Sequence, residues 1–202
     1  MPGRVAGKVA FVTGAGRGQG RSHAIRLAEE GADIIAVDIL SDYATVGYGM
    51  STQADLDETV KAVEALDRRI IASKADVRDL GALRQAVDAG VAELGKLDIV
   101  CANAGICTVQ AWDEVTPAVW QDTIDTNLTG VWNTLLVSIP HLLASRSAGS
   151  IRNPYGCHGR ATKSAMRVLR AFRVNASNPT RSSKAPRLRD AGSSSARWAV
   201  TP

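Results

Sequence analysis

The segment Lys8–Gly20, KVAFVTGAGRGQG, joins a short apolar run to four glycines at alternate positions. The apolar run stops at Thr13 and a helical pattern follows the glycines, so the segment predicts a strand, a glycine-rich turn and a helix. Glycines let the backbone come close to a bound pyrophosphate, whose charge is stabilised by free amides at the positive end of the helix. The predicted ligand is therefore a dinucleotide.

The glycine spacing matches TGxxxGxG and departs from GxGxxG, because Gln19 stands where the third glycine of GxGxxG would be. Arg17 lies just before the second glycine of the motif. We predict that this turn contributes five cofactor-binding residues: Gly14, Arg17, Gly18, Gln19 and Gly20.

The composition, 45% hydrophobic over 202 residues, predicts a single soluble domain with one substantial core. No apolar run approaches the length of a membrane span and the N-terminus lacks a secretory hydrophobic core, so the expected compartment is the cytoplasm. Cys101, Cys107 and Cys157 lack metal-ligand spacing, and we expect no metal site. Their odd number does not suggest a disulfide framework, so they are interpreted as buried or idle thiols.

The charge distribution divides the chain near Ile151. Residues 1–150 carry 13 Lys+Arg and 19 Asp+Glu, a net charge of −6, whereas residues 151–202 carry 11 and one, a net charge of +10. Strand and helix patterns alternate before the division and are lost after it. The basic part shows no regular pattern of aromatic residues between its basic ones and no known nucleic-acid-binding motif, which favours a disordered tail over a nucleic-acid contact.

An acidic residue follows the second predicted strand, Asp33–Val37. Asp38 at its carboxyl end is placed to accept hydrogen bonds from the ribose hydroxyls of the adenosine. Its charge would repel a 2′-phosphate, which favours NAD over NADP, although Arg17 could reach such a phosphate. The following loop, residues 39–54, is unusually long and is either functional or solvent-exposed filler.

Asp76 and Val77 follow the third predicted strand, Arg69–Lys74. At that strand end an aspartate can hydrogen-bond the adenine amino group and a valine can pack on the ring. The alternative for Asp76 is that it caps the next predicted helix, Leu80–Leu94.

The fourth predicted strand, Leu97–Ala102, runs into Asn103, Ala104 and Gly105. Small residues there let the backbone approach a cofactor, while the asparagine amide can tie neighbouring strands together. We predict cofactor contacts from all three.

A long helix is predicted from Pro117 to Ala144, with Thr116 as its N-cap. Asn127 lies in the middle of it, where asparagine is a poor helix former. Its side chain either bonds a backbone carbonyl or is exposed.

Taken together, TGAGRGQG, Asp38, DV at 76–77, NAG at 103–105 and DTNLTG at 125–130 resemble the short-chain dehydrogenases/reductases. More narrowly, GRVAGKVAFVTGAGRGQGRSHAIRLAEEGADIIAVDI is similar to the mycofactocin-linked, carveol-dehydrogenase-like branch. The resemblance covers about residues 3–151.

The resemblance implies an α/β fold with a three-layer, Rossmann-type, doubly wound parallel sheet. It also implies hydride transfer between NAD and a secondary alcohol or ketone. In that branch NAD is held tightly and reoxidised in place by a redox partner.

The resemblance further implies a catalytic tyrosine, a lysine one helical turn later that lowers its pKa, a substrate-orienting serine and an asparagine in the proton relay. Asn127 matches the asparagine and Lys163 the lysine, but Gly159 occupies the tyrosine position and residues 152–154 provide no serine. Tyr155 is the nearest tyrosine. On a regular helix it would lie about 12 Å from Lys163 along the axis and about 80° around it, so it could substitute only if the segment is not a regular helix.

These departures lead to the hypothesis that the chain has lost internal segments and its C-terminus, which would leave the sheet incomplete on its C-terminal side. We expect a dinucleotide-binding domain over 1–151, a degenerate remnant of the catalytic segment over 152–180 and a basic tail over 181–202. The family's homo-oligomer interface lies in helices around 104–145, but the elements that would complete it are not recognisable. Two functions remain open, an NAD-dependent alcohol dehydrogenase and a non-catalytic dinucleotide-binding protein or inactive fragment.

Overall fold

Strands and helices alternate along most of the chain. The structure is a computed structural model that describes residues 3–145, 150–152 and 158–160, all within the compact unit Met1–Lys163. In chain order the elements are β1 (Val9–Thr13), α1 (Gly18–Glu29), β2 (Asp33–Asp38), α2 (Gln53–Glu64), β3 (Ile70–Lys74), α3 (Leu80–Leu94), β4 (Ile99–Cys101), a 3₁₀ turn (Trp112–Glu114), α4 (Pro117–Ile124), a π-helical turn (Asp125–Thr129), α5 (Gly130–Ala144), β5 (Ser150–Arg152) and β6 (His158–Arg160).

The strands form one sheet in the order β3-β2-β1-β4-β5-β6. β1 to β5 are parallel, which confirms the predicted α/β sheet of Rossmann type. β1 lies in the interior of the sheet and all five of its residues are buried. A strand covered on both faces needs a continuous apolar run, and this is why its sequence shows no alternation.

The sequence did not predict β6. This strand pairs antiparallel with β5, with Ile151 opposite Gly159. A regular helix from Tyr155 to Lys163 is excluded, because His158–Arg160 within that span is a strand. Its backbone groups find their partners in β5 instead of in a helical turn. Tyr155 and Lys163 themselves lie outside the described residues.

Three layers result from the alternation of side chains along β1. Val9 and Phe11 pack into a core with residues of α3 and α5, including Val87 and Leu142. Ala10 and its neighbours on the opposite face pack against α1 and α2. Among the described helices, none combines the length and the apolar composition that a membrane-spanning segment requires.

The predicted helix from Pro117 to Ala144 begins as expected, with the Thr116 hydroxyl accepting from the Val119 amide at 3.3 Å. It is interrupted by the π-helical turn, where the Gly130 N–H donates to the Asp125 carbonyl five residues earlier. The turn adds a residue to the helical cycle and separates α4 from α5.

Candidate functional site

A cleft of about 310 Å³ opens at the carboxyl ends of β1 to β4. All eleven residues that the sequence analysis assigned to cofactor binding line it: Gly14, Arg17, Gly18, Gln19, Gly20, Asp38, Asp76, Val77, Asn103, Ala104 and Gly105. Eight further residues that the analysis did not assign also line it: Ile39, Tyr43, Tyr48, Met50, Ser51, Ala75, Ile106 and Thr126. Parallel strands bring their carboxyl ends to one edge of the sheet, which is where α/β proteins bind ligands.

Two glycines of the turn are required by its geometry. Gly18 has a φ of +57°, a conformation that favours glycine. A Cβ added at Gly18 would have no atom within 4 Å, so the backbone is open on that side. A Cβ on Gly20 would lie 1.8 Å from the carbonyl oxygen of Gly14. The turn can therefore keep this shape only with hydrogen at position 20, and it leaves a concave backbone surface that an elongated anion can approach.

Asp38 forms a buried wall of the cleft, with 6% of its surface exposed. Its Oδ2 accepts from the Gly16 N–H at 2.8 Å, and its Oδ1 accepts from the Ser51 hydroxyl. These hydrogen bonds keep the carboxylate at the end of β2, facing the glycine turn. A fixed negative charge is therefore built into one side of the cleft.

Asn103 ties β4 to β1, as the sequence analysis anticipated for its amide. Its Nδ2 donates to the Thr13 carbonyl at 2.9 Å. The backbone N–H groups of Asn103 and Ala104 both donate to the Thr13 hydroxyl at 3.0 Å. The crest of β4 is thus fixed beside the start of the glycine turn.

The N-cap of α3 decides between the two interpretations of Asp76, as a cofactor-binding residue or as the cap of that helix. Asp79 is the N-cap, and its carboxylate accepts from the Gly81 and Ala82 amides at 2.8 and 3.0 Å. Asp76 instead accepts from the Arg78 N–H at 2.9 Å and forms an ion pair with the Arg78 guanidinium at 2.7 Å. The capping interpretation of Asp76 is therefore wrong, and its side chain stands at the cleft.

Val77 is held in place by α5, a contribution that the sequence analysis missed. The buried Asn133 donates through Nδ2 to the Val77 carbonyl at 3.0 Å. A Cβ on Gly130 would lie 2.5 Å from a Val77 methyl carbon, so the helix approaches as closely as it does because residue 130 is glycine. An asparagine in an otherwise apolar helix is the sequence signal that could have indicated this contact. Its partner Val77 could not be predicted, because it lies 56 residues away in the chain.

The long connection between β2 and α2, which we call the β2–α2 loop (residues 39–52), crosses the cleft. Its Tyr43 hydroxyl hydrogen-bonds the Thr126 hydroxyl in the π-helical turn at 2.9 Å. Its Tyr48 hydroxyl accepts from the Cys107 N–H beyond β4 at 3.2 Å. The interpretation of the loop as solvent-exposed filler is therefore wrong, since it contacts elements on the far side of the cleft.

Charged side chains reinforce this crossing. The Arg78 guanidinium lies 4.4 Å from the centre of the Tyr43 ring and 3.3 Å from the Asp122 carboxylate. The Arg17 guanidinium lies 5.7 Å from the centre of the Tyr48 ring. Burial of Tyr43 raises the pKa of its hydroxyl above the ordinary value, and the hydrogen bond between the Tyr43 and Thr126 hydroxyls only partly opposes this.

Asn127, the predicted relay residue, bonds the backbone of Ile106. Its Nδ2 donates to the Ile106 carbonyl at 2.8 Å and its Oδ1 accepts from the Ile106 N–H at 2.9 Å. The side chain therefore joins the π-helical turn to the segment that follows NAG. Its assignment to the relay stays a prediction, as do those of Tyr155 and Lys163, which lie outside the described residues.

Comparison with solved structures finds two close neighbours. Carveol dehydrogenase from Mycobacterium avium in complex with NAD aligns with a TM-score of 0.73 and 48% identity over 86% of this chain and 67% of that chain. A short chain dehydrogenase from Mycobacterium paratuberculosis bound to NAD aligns with a TM-score of 0.73 and 47% identity over 86% and 68%.

The (−)-trans-carveol dehydrogenase of Rhodococcus erythropolis is 54% identical over 149 residues, which are 73% of this chain and 54% of that protein. The chain spans about half the length of the curated relatives it matches. The family model for short chain dehydrogenase matches residues 8–166. Because this match includes the residues that line the cleft, the chain belongs to the short-chain dehydrogenase family.

Proposed function

We propose that the protein is an NAD-dependent oxidoreductase. The observation that carries the proposal is the pairing of the open glycine turn with the buried carboxylate of Asp38 across one cleft. Gly18 leaves room for a pyrophosphate at the start of α1, where backbone N–H groups and the helix dipole favour an anion. Asp38 can accept hydrogen bonds from the ribose hydroxyls of the adenosine.

The charges around the cleft favour NAD over NADP. Asp38 would repel a 2′-phosphate, and its position is fixed by Gly16 and Ser51. Arg17, the residue that could neutralise such a phosphate, stacks near the Tyr48 ring. The structures of two relatives at 47 and 48% identity contain NAD, which supports the same choice.

The proposed reaction is hydride transfer between the nicotinamide and a secondary alcohol or ketone, with a small carveol-like alcohol as the substrate class. NAD, when bound, supplies the hydride acceptor. Residues of the chain would transfer the proton. We propose Tyr155 as the acid/base at the substrate oxygen and Lys163 as the residue that lowers the pKa of Tyr155. Asn127 would complete the proton relay.

The β2–α2 loop is suited to slow the release of NAD. It joins the far side of the cleft through hydrogen bonds of Tyr43 and Tyr48, and we propose that these contacts open before the cofactor leaves. A retained cofactor has to be reoxidised where it is bound, and we propose that a separate redox partner accepts its electrons.

The test is to purify the full chain, release any bound nucleotide by denaturation, and measure NAD in the supernatant and by titration. Carveol oxidation is then followed with an artificial electron acceptor for the wild type and for Tyr155→Phe. We expect NAD binding in both proteins and a loss of turnover of about 100-fold or more in Tyr155→Phe. Absence of NAD binding by the wild type would contradict the proposal. Binding without turnover would identify a non-catalytic dinucleotide-binding protein.

A further inference from the structure

Arg21, in the first turn of α1, binds a carbonyl oxygen of the glycine turn, whereas Asp38 binds an N–H of the same turn. Its Nε and Nη2 donate to the carbonyl oxygen of Gly16 at 3.0 and 2.6 Å. Its Nη2 also donates to the Asp55 carbonyl at 2.7 Å. The guanidinium therefore connects α1, the glycine turn and the start of α2.

Two residues of α2 complete this anchor. Glu58 accepts from Arg21 Nη1 at 2.8 Å. The fully buried Thr59 hydroxyl accepts from Arg21 Nε at 3.1 Å and donates to the Ala15 carbonyl at 2.9 Å. The carbonyl oxygens of residues 15 and 16 are thus both bound on the α2 side of the turn.

The N–H groups of the same stretch are bound on the β2 side. Ala15 N–H donates to the Val37 carbonyl at 3.1 Å, and Gly16 N–H donates to Asp38 Oδ2 at 2.8 Å. The turn is held from two directions before any ligand enters. Such preorganisation lowers the free-energy cost of binding.

The hydrogen bonds to the Gly16 carbonyl determine the direction of the next amide. In a trans peptide the C=O and the following N–H point in opposite directions, so an oxygen held by Arg21 turns the Arg17 N–H away from Arg21. Glycine at position 16 has a wide choice of ψ, so without an anchor this peptide plane could rotate. Rotation would place a carbonyl oxygen where an anion is expected.

We infer that Arg21 is a positioning residue for the cofactor turn, which holds the Gly16–Arg17 peptide with its N–H toward the pyrophosphate of a bound NAD. The inference rests on the proposed NAD site. Arg21 itself is not one of the cleft-lining residues, so it acts through the backbone and not by contact with the nucleotide.

The experiment compares Arg21→Met and Arg21→Lys with a matched control, Arg26→Met. Arg26 lies on the same helix and pairs with Glu29 at 2.5 Å on the exposed surface. NAD, ADP-ribose and adenosine are titrated into each full-length protein by calorimetry. Loss of charge-assisted hydrogen bonds predicts that Arg21→Met weakens NAD and ADP-ribose binding by about tenfold to a hundredfold. We expect a smaller loss in Arg21→Lys, and wild-type affinity in Arg26→Met.

Adenosine separates positioning from a general structural role, because it lacks the pyrophosphate. Adenosine affinity should change less than about twofold in Arg21→Met, since only the phosphate-facing peptide is released. An equal loss for all three ligands, or wild-type affinity for ADP-ribose in Arg21→Met, would overturn the inference while leaving the proposed function intact. A wild type that binds none of the pyrophosphate ligands would overturn both.

A second measurement needs no variant and applies if Arg21→Met does not fold. In ¹⁵N-labelled wild-type protein, titration with ADP-ribose should move the Arg17 amide proton downfield as it donates to the pyrophosphate. An Arg17 amide that stays unchanged at saturation would refute the inferred orientation of the peptide.

Discussion

At the level of single residues, the glycine turn includes a backbone contact at Gly20 that is too close for any residue with a Cβ atom. The Gly20 Cα faces the Gly14 carbonyl so closely that a methyl group has no place. Gly47 in the β2–α2 loop is different, because a Cβ there meets nothing within 4 Å. Two glycines in the same protein therefore have opposite tolerance to alanine.

Gly20→Ala should lower the free energy of unfolding by at least about 2 kcal/mol, since the methyl group forces backbone displacement in a close-packed turn. For a domain of this size, that corresponds to a fall in melting temperature of about 4–8 °C. We expect NAD binding to be lost as well. Gly47→Ala is the control and should stay within about 0.5 kcal/mol of the wild type. A Gly20→Ala protein with wild-type stability would contradict the described geometry of the turn.

At the scale of elements, the β2–α2 loop is held to α4 and the π-helical turn by polar contacts. The Thr45 hydroxyl donates to the Asp122 carboxylate at 2.6 Å, beside the Tyr43–Thr126 hydrogen bond. Tyr43 and Val46 of the loop also form a small apolar cluster with Ile106. The loop therefore has its own core, and its position depends on a neutral, hydrogen-bonded Tyr43.

Stability should fall at alkaline pH as Tyr43 ionises. Its pKa in the folded state is raised above the unfolded value by burial, so its contribution is complete below about pH 10 and is lost as the pH rises through the folded pKa. In Tyr43→Phe this part of the pH dependence should disappear, and NAD should dissociate faster. Urea unfolding from pH 8 to 11 measures the first effect and stopped-flow dissociation the second.

The control for Tyr43→Phe is Thr123→Val, which removes a hydroxyl bonded to the Val119 carbonyl of its own helix. It should keep the wild-type alkaline profile and the wild-type rate of NAD release. Identical alkaline profiles for the wild type and Tyr43→Phe would refute the role given to Tyr43.

At the scale of the whole molecule, the cleft brings together the ends of four strands, the β2–α2 loop and the π-helical turn. None of these parts has the site alone, because each contributes one wall. A ligand that contacts all of them stabilises the native state as a unit, and the stabilisation grows with the logarithm of the ratio of its concentration to its dissociation constant.

Saturating NAD should therefore raise the melting temperature of the full chain. At a hundredfold excess over the dissociation constant the gain is about 2.7 kcal/mol, or about 5–10 °C for a domain of this size. NADP at the same concentration should give a smaller shift because Asp38 repels its 2′-phosphate. Differential scanning calorimetry measures both shifts, and equal shifts would contradict the selectivity assigned to Asp38.

Elements with local signals could be predicted from the amino-acid sequence. The β1 run, the glycine turn and the acid at the end of β2 lie within 31 residues of one another. Hydrophobic periodicity indicated alternating strands and helices before Ile151, and the resemblance to a known family implied their arrangement as a doubly wound parallel sheet. The cofactor-binding residues followed from the glycine spacing and from the residues at the strand ends, and the resemblance to a known family added the catalytic positions.

Features that depend on partners distant in the chain became known from the folded structure. The course of the β2–α2 loop follows from Tyr43 meeting Thr126, 83 residues later. The antiparallel β6 exists because its backbone pairs with β5, and Asn127 finds its partner in the segment beyond β4. Side-chain amides and hydroxyls accept many partners, so local sequence leaves their choice open until packing brings one of them within hydrogen-bonding distance.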